Sequence, residues 1–184
     1  VNHALAAFGY PQHTIADVCG FVGNGVYKLM ERATPGGLAA PDFPQVYREF
    51  CAYYNANCRN KTSVYDGVPE MMETLHEQGY KLAVVSNKND AEVKKLCAVY
   101  FSKWMDTFIG STEDVRKKPA PDTVFQAMEV LGSVPASTVY VGDSEVDLET
   151  AENAGMDCIA VSWGFRGRTR LEQLGASVIA ERPE

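Results

Sequence analysis

The spacing of apolar residues changes near residue 62 of this 184-residue chain. Before that point, apolar residues recur every three or four positions in residues 26–33 and 43–57, which is typical of helices. Thr14 is placed to cap a short helix that runs to Cys19. No segment of this part has the pattern of a strand. The spacing therefore predicts a small helical domain over residues 1–62.

From residue 63 onward, short apolar runs alternate with helical segments. The predicted strands are 81–85, 107–109, 138–141, 158–161 and 177–179, and the predicted helices are 68–78, 90–100, 121–131 and 145–154. Alternation of this kind is typical of a parallel sheet covered by helices on both sides. We therefore predict an α/β core domain over residues 63–184, with a doubly wound, mostly parallel sheet.

Polar side chains follow the predicted strands 81–85 and 138–141 and stand in the loop that precedes the helix over residues 121–131. They are Ser86, Asn87, Lys88, Lys118, Asp143 and Asp147. In open parallel sheets, ligands bind just beyond the carboxyl ends of the strands. The order of these residues along the chain therefore predicts that they converge on one site at that edge of the sheet.

The chemistry of this set suits phosphoryl transfer. The Ser86 hydroxyl can donate a hydrogen bond to a phosphate oxygen, and Lys118 offers a compact positive charge beside it. Asp143 and Asp147 are four residues apart at the start of a helix, so both can face the same point. Carboxylate oxygens and water are the ligands that Mg²⁺ prefers. Together these features predict a Mg²⁺ site at the two aspartates.

Each of these residues also has a simpler interpretation when it is taken alone. Ser86 and Asn87 can serve as the cap of the next helix, and Lys118 can be a solvated charge beside Lys117. Asp143 can be a helix cap and Asp147 a surface residue. Three separate segments, however, present complementary groups at successive strand ends. That coincidence favours a single active site.

Three segments of the core resemble the second, third and fourth motifs of the haloacid dehalogenase-like hydrolases. They are Val-Val-Ser-Asn-Lys at 84–88, Lys-Lys-Pro-Ala-Pro-Asp at 117–122 and Val-Gly-Asp-Ser-Glu-Val-Asp at 141–147. Residues 21–25, 65–69, 151–155 and 174–176 extend the likeness over nearly the whole chain. The sequence is most similar to the phosphoglycolate phosphatase branch of that family.

This resemblance implies a role for each residue of the set. Ser86 would hold the transferring phosphoryl group, and Asn87 would help to shape the pocket. Lys118 would neutralise charge on the phosphate and the nucleophile. Asp143 would ligate Mg²⁺, and Asp147 would bind the ion directly or orient its waters. Lys88 is either a phosphate contact or a charge at a helix start.

The resemblance also implies that the helical domain is a mobile cap, inserted after the first strand of the core. The turn over residues 21–25, with Gly23, Asn24 and Gly25, would face the pocket and select the leaving group of the substrate. Arg166 follows the last long strand and could reach a substrate carboxylate, although a surface arginine is an equally good interpretation.

One motif of the family is absent from these residues. The family begins with a strand that ends in a DxDxT-like motif, whose two aspartates attack phosphorus and move protons. Asp17, the only early acid, sits in a predicted helix and cannot substitute for them. The resemblance places that strand between the strands that end at Val85 and Val141. We therefore expect the native protein to have roughly 15–25 further residues at its N-terminus.

The composition of the chain limits the classes of partner and the cellular compartment that we expect. The net charge of −7 argues against a nucleic-acid binder, no apolar run is long enough for a membrane span, and five scattered cysteines without a CxxC pair favour free thiols in the cytoplasm. We predict a Mg²⁺-dependent phosphatase, monomeric or homodimeric, that acts on a small phosphorylated metabolite, with 2-phosphoglycolate as the first candidate. A sugar-phosphate phosphatase, a β-phosphoglucomutase, a dehalogenase or a non-catalytic binding module of the same fold remain alternatives.

Overall fold

The computed structural model of the chain describes residues 1–23 and 25–184. Backbone contacts divide the chain into two units, Val1–Ser63 and Val64–Glu184. The first unit is helical, whereas the second contains both helices and strands. Among the residues described, no helix combines the length and the apolar character that crossing a membrane requires.

Four α-helices form the described part of the first unit. They are α1 (Asn2–Ala7), α2 (Ile15–Phe21), α3 (Val26–Ala33) and α4 (Phe43–Asn57). Helices α3 and α4 have the bounds that the apolar spacing predicts. Helix α1 was not predicted, because its six residues bury only Ala4 and Leu5 and so carry almost no periodic signal. The assignment of this unit as a cap stays a prediction.

Thr14 caps α2 as the sequence predicts. Its Oγ1 accepts a hydrogen bond from the Asp17 backbone N–H at 3.2 Å, and a carboxylate oxygen of Asp17 accepts one from the Thr14 N–H at 2.9 Å. The helix runs two residues beyond Cys19, to Phe21. Helices α1, α3 and α4 pack around a small core of Leu5, Met30, Phe43, Val46 and Phe50.

The second unit alternates strands and helices. Its elements are α5 (Val68–Glu77), β1 (Ala83–Asn89), α6 (Asp90–Tyr100), β2 (Thr107–Ser111), α7 (Asp122–Leu131), β3 (Val139–Gly142), α8 (Glu145–Ala154), β4 (Asp157–Val161), α9 (Gly167–Gln173) and β5 (Ile179–Ala180). All strand pairs are parallel, which confirms the predicted α/β class. Helix α9 was missed, because only Leu171 of its residues is buried.

Strand β1 is longer than predicted. The sequence placed its end at Val85, but the strand continues to Asn89, which lies opposite Ser111 of β2 after a shift in register. Ser86, Asn87 and Lys88 are therefore part of the irregular end of the strand. Asn89 caps α6 by accepting a hydrogen bond from the Ala91 N–H at 3.1 Å. The interpretation of Ser86 and Asn87 as that helix cap is wrong.

The strands form two separate sheets, β1–β2 and β3–β4–β5, with no hydrogen-bonded strand pair joining them in the described part of the chain. A groove of about 500 Å³ runs between β1 and β3 and is walled by α5 and α7. Val139 and Val141 of β3 are 51% and 55% exposed, whereas Ala160 and Val161 of β4 are 0% and 8% exposed. An apolar strip along β3 therefore faces this groove.

Gly110 of β2 sets how closely the first turn of α6 approaches the sheet. Its N–H donates to a carboxylate oxygen of Asp90 at 2.9 Å. A Cβ at this position would overlap with the Asp90 Cα and would lie 2.7 Å from the Asp90 backbone nitrogen. Since backbone atoms at a helix start have little room to move, only glycine fits here.

We expect Gly110→Ala to lower the free energy of unfolding by about 1–3 kcal/mol, because crowding of this kind forces the backbone to shift. Urea titration followed by circular dichroism measures the change. The control is Gly20→Ala in α2, where an added Cβ meets nothing within 4 Å and should stabilise by up to about 1 kcal/mol. A Gly110→Ala protein as stable as wild type would contradict the packing described for this position.

Candidate active site

A buried ion pair lies at the carboxyl ends of β1 and β3. The Lys118 Nζ donates hydrogen bonds to Asp147 Oδ1 at 2.8 Å and to the Tyr140 hydroxyl at 3.0 Å. That hydroxyl donates to the same carboxylate oxygen at 3.1 Å. The side chains of Lys118 and Asp147 are only 12% and 11% exposed. These values exclude the simpler interpretations of a solvated lysine and a surface aspartate.

The second oxygen of Asp147 is also occupied. Its Oδ2 accepts hydrogen bonds from the Ser144 hydroxyl at 2.6 Å and from the Asp143 N–H at 3.2 Å. Burial alone would raise the pKa of the Asp147 carboxyl. The charge of Lys118, together with the hydrogen bonds that the carboxylate accepts from Lys118 and Ser144, outweighs burial and holds that pKa below its ordinary value. Asp147 is therefore ionised at neutral pH.

Tyr140 stays protonated within this cluster. Burial, followed by the neighbouring charge of Asp147, raises the pKa of the Tyr140 phenol. The hydroxyl can therefore accept from Lys118 and donate to Asp147 at neutral pH. Sequence reasoning missed this residue. The available signal was a tyrosine hydroxyl between the two valines of the predicted strand over residues 138–141.

Asp143 has a different environment from Asp147. Its Oδ2 accepts a hydrogen bond from the Phe165 backbone N–H at 2.7 Å, and within residues 1–23 and 25–184 its Oδ1 has no hydrogen-bond partner. The side chain is partly buried. Asp143 does not cap α8, because Ser144 occupies that position. One oxygen of this carboxylate is therefore held in place, while the other is open to a ligand.

Two glycines allow the aspartates to sit where they do. A Cβ at Gly142 would overlap with the Asp147 Cβ and lie 2.6 Å from its Cγ. A Cβ at Gly164 would overlap with Asp143 Oδ2 and lie 2.5 Å from its Cγ. The absence of a side chain at these positions lets Asp147 pack against the end of β3 and lets Asp143 pack against the loop between β4 and α9.

The residues present fit a divalent cation at Asp143. Among the described residues, no group of three or more His, Cys, Asp or Glu side chains forms a closed metal cage. Mg²⁺, however, commonly binds through one or two carboxylates, with water and phosphate oxygens as its other ligands. The open Oδ1 of Asp143 meets that requirement. Asp147, with both oxygens engaged, fits the role of orienting neighbouring groups better than that of a direct ligand.

Asn87 fixes the loop that carries Lys118. Its side-chain nitrogen donates to the Lys118 carbonyl at 2.9 Å, and its side-chain oxygen accepts from the Lys118 N–H at 2.7 Å. Asn153 of α8 binds the same loop by donating to the Pro119 carbonyl at 2.9 Å. Asn87 therefore acts on the pocket through Lys118, which agrees with a role in shaping it.

Ser86 and Lys88 lie beside this loop, at the end of β1. The Ser86 Oγ accepts a hydrogen bond from the Lys88 N–H at 3.2 Å, which leaves the hydroxyl hydrogen for a ligand oxygen. The Lys88 ammonium pairs with Glu92 of α6 at 3.4 Å. That contact agrees with the interpretation of Lys88 as a charge at a helix start, and its contact with phosphate stays a prediction.

Arg166 forms a two-pronged ion pair with Glu145, the first residue of α8. Its Nε and Nη2 donate to the two carboxylate oxygens of Glu145, each at 2.7 Å. The hydrogen bond to Glu145 raises the pKa of the Arg166 guanidinium, and the hydrogen bond from Arg166 lowers the pKa of the Glu145 carboxyl. The predicted contact of Arg166 with a substrate carboxylate is untested.

The predicted substrate contacts at 23–25 belong to the first unit. Gly23 accepts a hydrogen bond at its carbonyl from the Arg32 guanidinium at 3.2 Å, and Gly25 stands at the N-cap of α3 with a φ of 89°. Asn24 lies outside the described residues. Their contact with substrate stays a prediction.

The fold and this cluster define a doubly wound α/β protein whose ligand site lies at the carboxyl ends of parallel strands. A family model described as haloacid dehalogenase-like hydrolase matches residues 1–161. The chain belongs to that family, which confirms the resemblance seen in the sequence and makes the protein a hydrolase by class.

Individual relatives support the same assignment. The phosphoglycolate phosphatase of Aquifex aeolicus is 30% identical over 166 residues, which cover 90% of this chain and 76% of the relative. A plasmid-encoded phosphoglycolate phosphatase of Cupriavidus necator is 31% identical over 186 residues, covering 100% of this chain and 80% of the relative. A crystal structure from Lactobacillus delbrueckii, provisionally assigned as a phosphoglycolate phosphatase, superposes with a TM-score of 0.91 at 33% identity, over 99% of this chain and 85% of that one.

We expect Lys118→Met to lower the free energy of unfolding by about 3–5 kcal/mol at pH 7, because it leaves the Asp147 carboxylate buried without its cation. In the wild type, the stabilisation linked to the lowered pKa of Asp147 is present above about pH 4 and is lost as the pH falls through that pKa. The difference in free energy of unfolding between Lys118→Met and the wild type should therefore become smaller at acid pH.

Urea titrations between pH 3 and pH 7, with a chelator present, measure this difference. The control is Lys117→Met, which removes an exposed lysine one position away and should change stability by less than about 0.5 kcal/mol. If Lys118→Met and Lys117→Met lose equal free energies of unfolding, or if the loss in Lys118→Met does not depend on pH, the ion pair is not the cause of the destabilisation.

Proposed function

We propose that this chain forms the greater part of a Mg²⁺-dependent phosphomonoester phosphatase. The observation that carries the proposal is that Lys118, paired with Asp147, lines the same groove as Asp143, which keeps one carboxylate oxygen open. Lysine, a carboxylate-bound divalent cation and a serine hydroxyl together supply the positive charge and hydrogen bonds that a transferring phosphoryl group requires.

In this proposal each residue acts on the phosphate or on a neighbour that does. The Ser86 hydroxyl donates to a non-bridging phosphate oxygen. The Lys118 ammonium has two of its three N–H groups engaged with Tyr140 and Asp147, and in the described part of the chain the third is left for a ligand. Asp143 holds Mg²⁺, which when bound supplies Lewis-acid stabilisation of the phosphate charge. Asp147 and Asn87 keep Lys118 in place.

The relatives suggest the substrate class. Two of them carry the name phosphoglycolate phosphatase, so 2-phosphoglycolate is the first substrate to test. Other small phosphorylated metabolites form the comparison set. In the reaction a carboxylate oxygen forms a bond to phosphorus while the ester P–O bond breaks and the alcohol leaves with a proton. Water then cleaves the aspartyl-phosphate and releases inorganic phosphate.

The groove between β1 and β3 suggests where the attacking carboxylate lies. Asp143 and Asp147 are the carboxylates that line the groove, and both have other tasks, since Asp147 is saturated with hydrogen bonds and Asp143 is assigned to the cation. The groove has apolar strand edges along its length, and Lys118 lines it together with both of these carboxylates. We propose that an extended segment from outside these 184 residues occupies the groove and carries the nucleophile to this end.

Lys118→Ala should lower the turnover of phosphomonoesters by at least about a hundredfold, because the phosphate charge loses its neighbouring cation. Release of inorganic phosphate from 2-phosphoglycolate and from a panel of sugar phosphates, with Mg²⁺ and the complete native polypeptide, measures this effect. Lys117→Ala is the matched control and should retain the wild-type rate. Turnover near wild type in Lys118→Ala would refute the role of this lysine, and no turnover of any ester by the wild type would favour a non-catalytic module.

Peptide mapping of the phosphoenzyme, formed with an ester that phosphorylates the enzyme faster than water cleaves the intermediate and then quenched in acid, locates the nucleophile. We expect the label on an aspartate of the native polypeptide that is not among residues 1–184. Label on Asp143 or Asp147 would overturn the proposed division of roles. Asp143→Asn and Asp147→Asn serve as controls for the mapping: both should acquire less label, and the label that they do acquire should lie on the same peptide as in the wild type.

A further inference from the structure

The loop between β4 and α9 contacts the candidate cation ligand directly. Within this loop, the Phe165 N–H donates to Asp143 Oδ2 at 2.7 Å. Gly164 stands so close to the same carboxylate that any side chain there would overlap with it. The position of this short piece of backbone therefore decides how the Asp143 carboxylate is oriented.

The next residue ties the loop to the helix that follows Asp143. Arg166 occupies the N-cap position of α9, and its guanidinium makes both prongs of its contact with Glu145 at 2.7 Å. The paired side chains are 21% and 33% exposed, so water screens the pair only in part. A two-pronged arginine–carboxylate contact fixes orientation as well as distance. Glu145 lies two residues after Asp143. The Arg166–Glu145 contact and the Phe165–Asp143 hydrogen bond therefore join the same two segments of the chain.

We infer that Arg166 is a positioning residue, which acts through Glu145 and the Phe165 amide to hold Asp143 Oδ2 and so presents Oδ1 to a divalent cation. The inference deepens the proposed function and rests on its assignment of the cation to Asp143. It also differs from the sequence-based prediction that Arg166 contacts a substrate carboxylate. In the structure, two of its donors are committed to Glu145 in the absence of any substrate.

The physical reason lies in the freedom of a carboxylate to rotate. Without the Phe165 amide, either oxygen of Asp143 can turn towards or away from the cation, and binding must then fix that torsion. Partners that orient a metal ligand in this way typically change metal affinity by about 10–100-fold when they are removed. Arg166 is not a ligand of the cation in this proposal, so its removal should weaken binding without abolishing it.

Isothermal titration of the native polypeptide with Mg²⁺ alone, without substrate, tests the inference. Arg166→Gln should weaken Mg²⁺ binding by about tenfold. Arg166→Lys keeps the charge but loses the two-pronged contact, so its Mg²⁺ affinity should lie between those of the wild type and Arg166→Gln. The control is Arg168→Gln in the same helix, which removes an exposed arginine that pairs with Glu172 and Glu181 and should leave Mg²⁺ affinity unchanged.

A second measurement follows the loop itself in the metal-free protein. The chain has eight phenylalanines, so selective ¹⁵N-Phe labelling gives few backbone amide signals, and Phe165→Leu assigns the one of interest. In Arg166→Gln, hydrogen exchange of the Phe165 amide should accelerate, while the other phenylalanine amides and the melting temperature stay close to wild type. A general loss of structure would instead accelerate exchange at many of these amides.

The outcomes separate this inference from the proposed function. Wild-type affinity for Mg²⁺ in Arg166→Gln, together with an unchanged Phe165 amide, would overturn the inference. If Arg166→Gln binds Mg²⁺ like the wild type but has a higher KM for a substrate that carries a carboxylate, the contact of Arg166 with the substrate is supported instead. If Asp143→Asn binds Mg²⁺ as tightly as wild type, the cation assignment itself fails and this inference fails with it. Loss of binding in Asp143→Asn with a tenfold loss in Arg166→Gln supports both.

Discussion

The buried ion pair between Lys118 and Asp147 is the interaction on which the geometry of the strand ends depends. It joins the loop before α7, strand β3 through Tyr140, and the first turn of α8. Burying two charges has a high desolvation cost, which only complete hydrogen bonding offsets. Here each oxygen of Asp147 accepts two hydrogen bonds, and these bonds determine where Ser144 and the backbone of Asp143 lie. Since a well-packed apolar pair would often be as stable, the pair is better explained by what it positions than by stability.

Much of this arrangement could be predicted from the sequence, because it depends on local signals. Periodic helices such as α4 and α8 have their predicted bounds, and polar residues at successive strand ends indicated the site. The parts that could not be predicted depend on distant partners. The extension of β1 to Asn89 requires Ser111 of β2 beside it. The Phe165 amide that binds Asp143 is a backbone donor, and a backbone donor leaves no mark in the residue type.

Asp143 and Asp147 illustrate the same limit at a single pair of residues. The sequence offered two equivalent acids four positions apart and left open whether Asp147 binds a cation directly. Their environments separate them. Asp147 faces a lysine, a tyrosine and a serine and is saturated, whereas Asp143 faces one backbone amide and keeps an oxygen open. The difference arises because Gly142 lets Asp147 pack against the end of β3, whereas Gly164 lets the loop between β4 and α9 approach Asp143. Both contacts form only in the tertiary fold.

The distribution of charge at the strand ends supports the proposed binding of a cation at Asp143. Lys118 forms its ion pair with Asp147 and Arg166 forms its ion pair with Glu145. Asp143 shares only the longer-range charge of Arg166, so its negative charge is the least compensated of the three carboxylates. A phosphomonoester near neutral pH is itself largely a dianion, and it would meet like charge at close range if it bound there unaided. Lys118 can share its third N–H, but its charge cannot offset both Asp147 and a phosphate. A divalent cation on Asp143 reverses the local sign and makes the site attractive to the anion. In the proposed function the ion pairs therefore position the site, while the cation would supply its net positive charge.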